Sequence, residues 1–259
     1  MASILCLDTA TAVCSVALGR DGELLQKKES DIPNAHSSSI ITFIEEVLRR
    51  AEGSLSQIDA VAVGKGPGSY TGLRIGVSTA KGLCYSLEKP LIAISSLQAL
   101  AHGMADHYRQ KGMTSHDILF CPMIDARRME VYAALYDLNN QEIREIRAEI
   151  VTEESFHEYL KDHQVVFFGD GAAKCQPVLH KHPRAIFHPA FLSSASYLIP
   201  LAEQQFNEKQ FVDVAYFEPF YLKEFIPGKP RVKGLHERPL TIAEVEGEVE
   251  GEVDGRKEG

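Results

Sequence analysis

The chain has 259 residues, enough for one large domain or two small ones with a sizeable buried core. Its 27 basic and 36 acidic residues give a formal net charge of −9. This charge argues against a protein whose primary role is nucleic-acid binding, although it leaves room for a local basic patch. The five cysteines are scattered and form no C-x-x-C pair, which favours buried reduced thiols and excludes a paired-cysteine zinc site.

The N-terminal segment has none of the features of a secretory signal. Asp8 interrupts the first apolar run within a few residues, and no basic region precedes it. No apolar run in the sequence approaches membrane-spanning length. We therefore expect a cytoplasmic protein without membrane contact.

Short apolar segments separated by turn residues predict an α/β unit in the first half of the chain. Strands are predicted over 3–7, 13–18, 23–28 and 60–63, and helices over 37–51 and 73–87. The first strand ends at Asp8 and is followed by the turn residues Thr9 to Thr11.

The second half repeats this pattern. Strands predicted over 118–124, 130–136 and 142–150 follow the same order, and a shift of 117 residues places Asp8 on Asp125. A short helix over 153–161, a strand over 165–168 that runs into Gly169-Asp170-Gly171, and a late helix over 194–205 complete the pattern. Two such units predict a duplicated α/β fold.

A glycine-rich segment over 64–76, GKGPGSYTGLRIG, joins the strand 60–63 to the helix 73–87. Such strand–helix loops often bind phosphate, but this one matches neither the P-loop nor the G-x-G-x-x-G spacing. Gly72, Gly76 and Ala80 share one helical face, and helical glycines usually have a packing reason. We interpret that reason as the close approach of another helix, from this chain or from a partner.

The helix 37–51 has an unusually broad apolar face. Its apolar residues span an arc of about 160°, whereas a surface helix needs roughly 100°. Two interpretations are equally open at this stage. The helix either buries one edge on its own sheet and offers the other to a partner, or it lies deeper within its own domain.

Asp8 and Asp125 are candidate cofactor-binding residues. One interpretation places them in a kinase-like or ATPase site, where aspartates organise magnesium and water. The other, which we favour, is that each carboxylate caps the tight turn after its strand. The residues after Asp125, Ala-Arg-Arg-Met, lack the glycines that would let the backbone approach phosphates.

The histidines do not support a peptidase. His102 and His107 are five residues apart and lie on different helix faces, and no H-E-x-x-H motif occurs. Ser69 is not in a G-x-S-x-G motif, so nucleophilic catalysis has no support either.

The repeats and their turns resemble the actin/sugar-kinase/Hsp70-like (ASKHA) fold, an α/β class with two related lobes and mixed sheets flanked by helices. More specifically, residues from about Ile4 to Lys223 resemble the TsaB (YeaZ) family of tRNA threonylcarbamoyladenosine synthesis. The resemblance is carried by the glycine-rich segment 64–76 and, more weakly, by LDTAT at 7–11, IDAR at 124–127, GDG at 169–171 and EPFYL at 218–222.

The resemblance implies a non-catalytic subunit that pairs with a related catalytic subunit, TsaD, and is also engaged by an ATPase subunit, TsaE. TsaD transfers the threonylcarbamoyl group to the adenosine beside the tRNA anticodon, so tRNA contact would occur through the complex. Ser96 and Leu100 stand where TsaD has its metal-binding H-x-x-x-H histidines, and neither can replace imidazole as a ligand. The resemblance implies no intrinsic cofactor, with ATP or ADP allowed at the partner interface. A small-molecule kinase or ATPase of the ASKHA class is the alternative.

The family's pairing surface corresponds to the helices 37–51 and 73–87, which would form a homodimer when the chain is alone. We expect lobes over 1–103 and 104–225, with the late helix packing back on the first lobe. The expected partner-contacting residues are His36, Ile40, Phe43, Ile44, Val47, Gly72, Ile75, Gly76, Thr79 and Ala80.

The C-terminal region over 226–259 is predicted to be a linker and a disordered acidic tail. The basic stretch 223–238, which includes Arg231 and Lys233, has two interpretations. It is either a tRNA or partner contact or, as we favour, a solvated mobile segment.

Overall fold

The computed structural model describes residues 2–30, 36–113, 115 and 117–223, with the backbone alone for 36–38. The predicted tail over 226–259 and the basic residues Arg231 and Lys233 lie outside the described residues. In the first half the elements are β1 Ser3–Asp8, β2 Cys14–Arg20, β3 Glu23–Ser30, α1 His36–Arg50, a 3-10 turn Leu55–Gln57, β4 Ala60–Gly64, α2 Tyr70–Leu87, β5 Leu91–Ile94 and α3 Ser96–Gln110.

The second half follows the same plan with shorter helices. Its elements are β6 Ile118–Asp125, β7 Glu130–Tyr136, β8 Glu142–Ile150, α4 His157–Leu160, β9 Gln164–Phe168, α5 Ala172–Leu179, β10 Ala185–His188, a 3-10 turn Ala195–Leu198 and α6 Ile199–Asn207. The predicted helix over 153–161 is reduced to the single turn α4, and β5, α3 and β10 were not predicted.

The two sheets have the same topology. The first runs β3-β2-β1-β4-β5 and the second β8-β7-β6-β9-β10. In each, an antiparallel hairpin precedes the parallel strands, so β1 pairs antiparallel with β2 and parallel with β4, as β6 does with β7 and β9. Asp8 and Asp125 are the last residues of the equivalent strands β1 and β6. The predicted duplication is confirmed, and with it the ASKHA-like fold class.

Alternating burial of the strand residues places helices on both faces of each sheet. In the first sheet Leu5, Val16 and Val61 pack under α1 and α2, and the opposite face packs against α3, α6 and the 195–198 turn. In the second sheet, α3 covers one face and α4 and α5 cover the other.

Helix α3 lies between the two sheets. Ala99 belongs to the core of the first sheet, whereas Leu100 and Met104 belong to that of the second. The lobe boundary placed at 103/104 therefore falls inside one continuous helix. Within the described ranges, no helix combines the length and apolar character that a membrane crossing requires.

A C-terminal strap, residues 211–223, crosses the first lobe after α6. Val212 N–H donates to the Leu91 carbonyl at 3.0 Å, and Phe220 N–H donates to the Lys65 carbonyl at 2.8 Å. Between them, Lys81 of α2 donates to the Phe217 carbonyl at 2.9 Å. These bonds hold the strap along α2 and over the glycine-rich loop.

Candidate functional site

The glycine-rich loop brings the start of α2 against the β1–β2 turn of the same chain. Ser69 N–H donates to the Ala10 carbonyl at 2.7 Å, and the Thr9 hydroxyl donates to the Gly72 carbonyl at 2.7 Å. A Cβ on Gly68 would lie closer than 3.0 Å to the Ala10 carbonyl oxygen, and one on Gly72 would lie closer than 3.0 Å to the Thr9 carbonyl oxygen. One on Gly76 would meet the Thr9 hydroxyl. The glycines are therefore required by a close approach within the chain.

This contact corrects the interpretation drawn from the helical glycine face. The neighbour of Gly72 and Gly76 is a backbone turn, not another helix, and both glycines are buried. Sequence periodicity identifies which face needs small residues. It does not identify what approaches that face, here a turn 63 residues earlier in the chain.

The predicted partner-contacting residues divide into two groups. The side chains of Ile40, Phe43, Ile44, Val47 and Ala80 are buried within the chain's own core, together with Gly72 and Gly76. At these positions of α1 the side chains pack within the chain's own domain, whereas Ile41, in the same apolar arc, is 51% exposed. Ile75 and Thr79 are half-buried, and the side chain of His36 is not among the described ones.

The outer face of the two helices carries a different set of residues, which we call the outer helix face. It consists of Ile41 on α1 and of Thr71, Ile75, Ser78, Gly82 and Tyr85 on α2. Ile41 is 51% exposed and Tyr85 84%, while a Cβ on Gly82 would meet nothing within 4 Å. The α2 positions recur every three or four residues, so they lie on one face of that helix. An exposed apolar face of this kind is typical of a protein contact.

Asp8 is the last residue of β1 and is buried. Its side chain is 2% exposed and accepts the Ala10 N–H at 3.0 Å, as expected of a carboxylate that caps the following turn. Burial raises the pKa of Asp8 to about 6; the Ala10 hydrogen bond opposes this shift, and the charges of Asp170 and Glu29 add to it. Thr9 and Ala10 are also fully buried, so these two residues do not face a phosphate in solvent.

Asp125 is exposed and caps the equivalent turn of the second lobe. It accepts the Arg127 N–H at 2.7 Å and pairs with Lys174 at 2.5 Å, while its own N–H donates to Asp170 at 3.0 Å. Burial raises the pKa of Asp170. Asp8, Asp125 and Asp170 therefore all accept hydrogen bonds from backbone N–H groups of the chain.

Ser96 and Leu100, which stand where TsaD was expected to have its metal-binding histidines, have structural roles in this chain. Ser96 is buried at the start of α3, and its hydroxyl accepts the Gly66 N–H at 3.1 Å. Leu100 belongs to the core of the second sheet. In the part of the chain that the structure describes, no group of three or more His, Cys, Asp or Glu residues is arranged to hold a metal ion.

Comparison with known proteins places this geometry in a family. A family model of the tRNA N6-adenosine threonylcarbamoyltransferase TsaD matches residues 30–223. The Escherichia coli tRNA threonylcarbamoyladenosine biosynthesis protein TsaB is 34% identical, with 87% of this chain and 96% of the relative covered. The chain belongs to the TsaB family, within the wider TsaD family. The Bacillus subtilis TsaB is 31% identical, with 85% of this chain and 94% of the relative covered.

The structural comparison agrees with this assignment to the TsaB family. The solved structure of YeaZ from Pseudomonas aeruginosa has a TM-score of 0.70 and 29% sequence identity, and the match covers 86% of this chain and 100% of that one. The family expected from the motifs is therefore confirmed.

Sequence reasoning missed the most exposed residues of the outer helix face of this TsaB-family chain. Tyr85 was not singled out because nothing in its spacing separates an exposed aromatic residue from a buried one. A Cβ on Gly82 would meet nothing within 4 Å, which separates this glycine from Gly72 and Gly76.

We expect Asp8→Asn to stabilise the protein at neutral pH. The raised pKa means that the folded state binds the Asp8 proton more tightly than the unfolded state, so this contribution is present below about pH 3.8 and is lost as the pH rises through about 6. Asparagine keeps an oxygen for the Ala10 N–H and carries no charge. The gain at pH 7 should reach about 3 kcal/mol. Urea unfolding midpoints of Asp8→Asn and the wild type between pH 4 and pH 8 measure this gain. If the difference between the two midpoints did not change with pH, the raised pKa of Asp8 would be contradicted.

Proposed function

We propose that this chain is a non-catalytic scaffold subunit that supports threonylcarbamoyl transfer to the adenosine beside the tRNA anticodon. It pairs with a related catalytic subunit of the TsaD type and is engaged by a TsaE-type ATPase, in the cytoplasm. Two relatives carry the name of tRNA threonylcarbamoyladenosine biosynthesis proteins, which supports the pathway. It has no intrinsic cofactor in this proposal, and any nucleotide is held at the interface or used by the partner subunits.

The observation that carries the proposal is the outer helix face. Ile41 on α1 and Tyr85 on α2 are large side chains exposed to solvent, and the open position at Gly82 would let a partner helix approach α2 closely. A surface of this composition gains free energy when another apolar helix pair covers it. In the absence of the TsaD-type subunit, a second copy of the chain serves as that partner.

Two positions where a catalytic relative would bind its metal ion support the absence of a catalytic role, because both have structural contacts in this chain. Ser96, at the start of α3, accepts a hydrogen bond from Gly66 N–H, and Leu100 packs in the core of the second sheet. Neither side chain is a ligand for a transition metal. The alternative of an ASKHA-type kinase or ATPase needs an accessible turn after β1, whereas Asp8, Thr9 and Ala10 are buried. Of the two functions, the scaffold is the one that the geometry supports better.

Reconstitution of tRNA modification tests this proposal. The TsaD-type and TsaE-type subunits of the same organism are assayed with and without this chain, and modified adenosine is measured by mass spectrometry. We expect modification to require the chain, and Asp8→Asn to support it at close to the wild-type rate. Full modification without the chain would contradict the scaffold role. Loss of modification with Asp8→Asn in a folded protein would favour the kinase or ATPase alternative.

A further inference from the structure

The turn between β6 and β7 holds two adjacent arginines in an unfavourable backbone conformation. Arg127 has a φ of 71° and Arg128 a φ of 51°, and both are exposed. The left-handed region costs a non-glycine residue roughly 1–2 kcal/mol. Such strain is found at functional sites. Hydrogen bonds from Arg127 N–H to Asp125 and from Glu130 N–H to the Arg127 carbonyl hold the backbone of this turn, and neither arginine side chain takes part in them.

The acidic residues around this turn already have cationic partners. Lys174 pairs with Asp125 at 2.5 Å, and Lys223 of the strap pairs with Glu130. Among the residues that the structure describes, neither arginine side chain has an ion pair or hydrogen bond. The turn therefore presents two uncompensated positive charges to solvent in a chain of net charge −9.

A second cationic group lies on the first lobe, stacked with aromatic rings. The Arg74 guanidinium lies 4.2 Å from the centroid of the Tyr70 ring, and its Nε donates to the Tyr221 hydroxyl at 3.3 Å. The rings of Tyr70 and Tyr221 have centroids 4.9 Å apart. Arg74 is exposed, and both tyrosines are half-exposed.

The strap joins these two groups into one surface. Tyr221 and Lys223 are two residues apart, Lys223 contacts Glu130, and Glu130 N–H donates to the Arg127 carbonyl at 3.2 Å. We call the resulting surface the basic-aromatic band. It consists of Tyr70, Arg74, Arg127, Arg128, Tyr221 and Lys223.

We propose that the basic-aromatic band binds the backbone of single-stranded RNA, with the arginines on phosphates and a tyrosine face under an unstacked base. Guanidinium groups bind phosphate oxygens in charge-assisted pairs, and aromatic rings stack on any base. A band that alternates the two chemistries across both lobes extends beyond one mononucleotide. The overall negative charge repels RNA elsewhere, which confines the contact to this band.

This inference rests on the proposed function for the identity of the RNA, a tRNA whose anticodon loop is single-stranded. The glycine variant Arg127→Gly/Arg128→Gly tests the band without disturbing the fold, since glycine adopts positive φ freely. Lys209→Gly is the matched control, because Lys209 is also exposed, at a φ of 55°, on the turn after α6.

Fluorescence anisotropy with an unmodified tRNA transcript measures the affinity of the full chain over a series of salt concentrations. We expect the double glycine variant to bind about tenfold more weakly at low salt, with the slope of log K against log salt reduced by about 1.4 for two lost phosphate contacts. Thermal unfolding should show no loss of stability. Tyr221→Ala should weaken binding about tenfold, whereas Tyr221→Phe should retain it.

Equal RNA affinity of the double glycine variant and Lys209→Gly would overturn the proposal, as would a wild-type chain that does not bind the transcript at low salt. Co-purification of the same variants with the TsaD-type subunit shows whether the scaffold role holds, independently of the RNA affinity. A double glycine variant that keeps RNA affinity but loses the subunit would identify the band as a protein contact instead. Retained co-purification with lost RNA affinity is the result that supports the proposal.

Discussion

Gly72→Ala should destabilise the protein, whereas Gly82→Ala on the same helix should stabilise it. A Cβ at Gly72 would collide with the Thr9 carbonyl oxygen, a backbone atom that cannot rotate away. Overpacking of this kind costs about 1–3 kcal/mol. At Gly82 a Cβ meets nothing within 4 Å, so alanine gains about 0.8–1.0 kcal/mol of helix propensity. Urea unfolding of both variants and the wild type measures the two shifts.

The opposite signs make this pair diagnostic. If alanine stabilised the protein at both positions, the close approach of α2 to the β1–β2 turn would be absent in solution. If it destabilised the protein at both positions, Gly82 would have a neighbour that the isolated chain does not show, such as a second copy.

Gly82→Arg should dissociate the homodimer that we propose for the chain in the absence of its partner. The arginine side chain would stand on the outer helix face between Ser78 and Tyr85 and would hold an approaching helix away. Arginine also favours a helix more than glycine does. Substitutions at the hot spots of an interface change affinity by about 2 kcal/mol or more, which is a factor of about thirty in the dissociation constant, and we expect a change of this size here. Sedimentation velocity over a concentration series measures the change.

Ile143→Glu is the matched control for a second outer-face variant, Ile41→Glu. Ile143 lies on β8 of the other lobe and is 48% exposed, close to the 51% of Ile41. Ile41→Glu should weaken self-association and Ile143→Glu should leave it unchanged. Equal effects would mean that added charge, and not the position, reduces association.

The duplicated fold could be predicted because the strands and turns of each repeat have clear local sequence patterns. The apolar strands alternate with turn residues, and the shift that places Asp8 on Asp125 aligns the last residues of β1 and β6 in the structure. Elements defined by tertiary contacts were missed. Helix α3 is buried on two sides between the sheets, and the short strands β5 and β10 are stabilised by their neighbours.

The candidate site was predicted to the level of the two helices but not to the level of side chains. The wide apolar arc of α1 correctly indicated unusual burial, yet Ile44 and Val47 face the chain's own sheet. A charged residue at Ile44 would therefore disrupt the core, and one at Gly76 would collide with Thr9. Which edge of an apolar arc remains exposed depends on the crossing of neighbouring helices, and sequence periodicity does not contain that information.

Binding of this chain to the TsaD-type subunit of the same organism tests the central claim most directly. Isothermal titration of the catalytic subunit with the wild type, Gly82→Arg and Ile143→Glu measures the three affinities under one set of conditions. We expect one-to-one binding by the wild type and Ile143→Glu, and at least a thirtyfold loss with Gly82→Arg in a protein that unfolds at the wild-type temperature or above. Undiminished binding of Gly82→Arg would contradict pairing through the outer helix face.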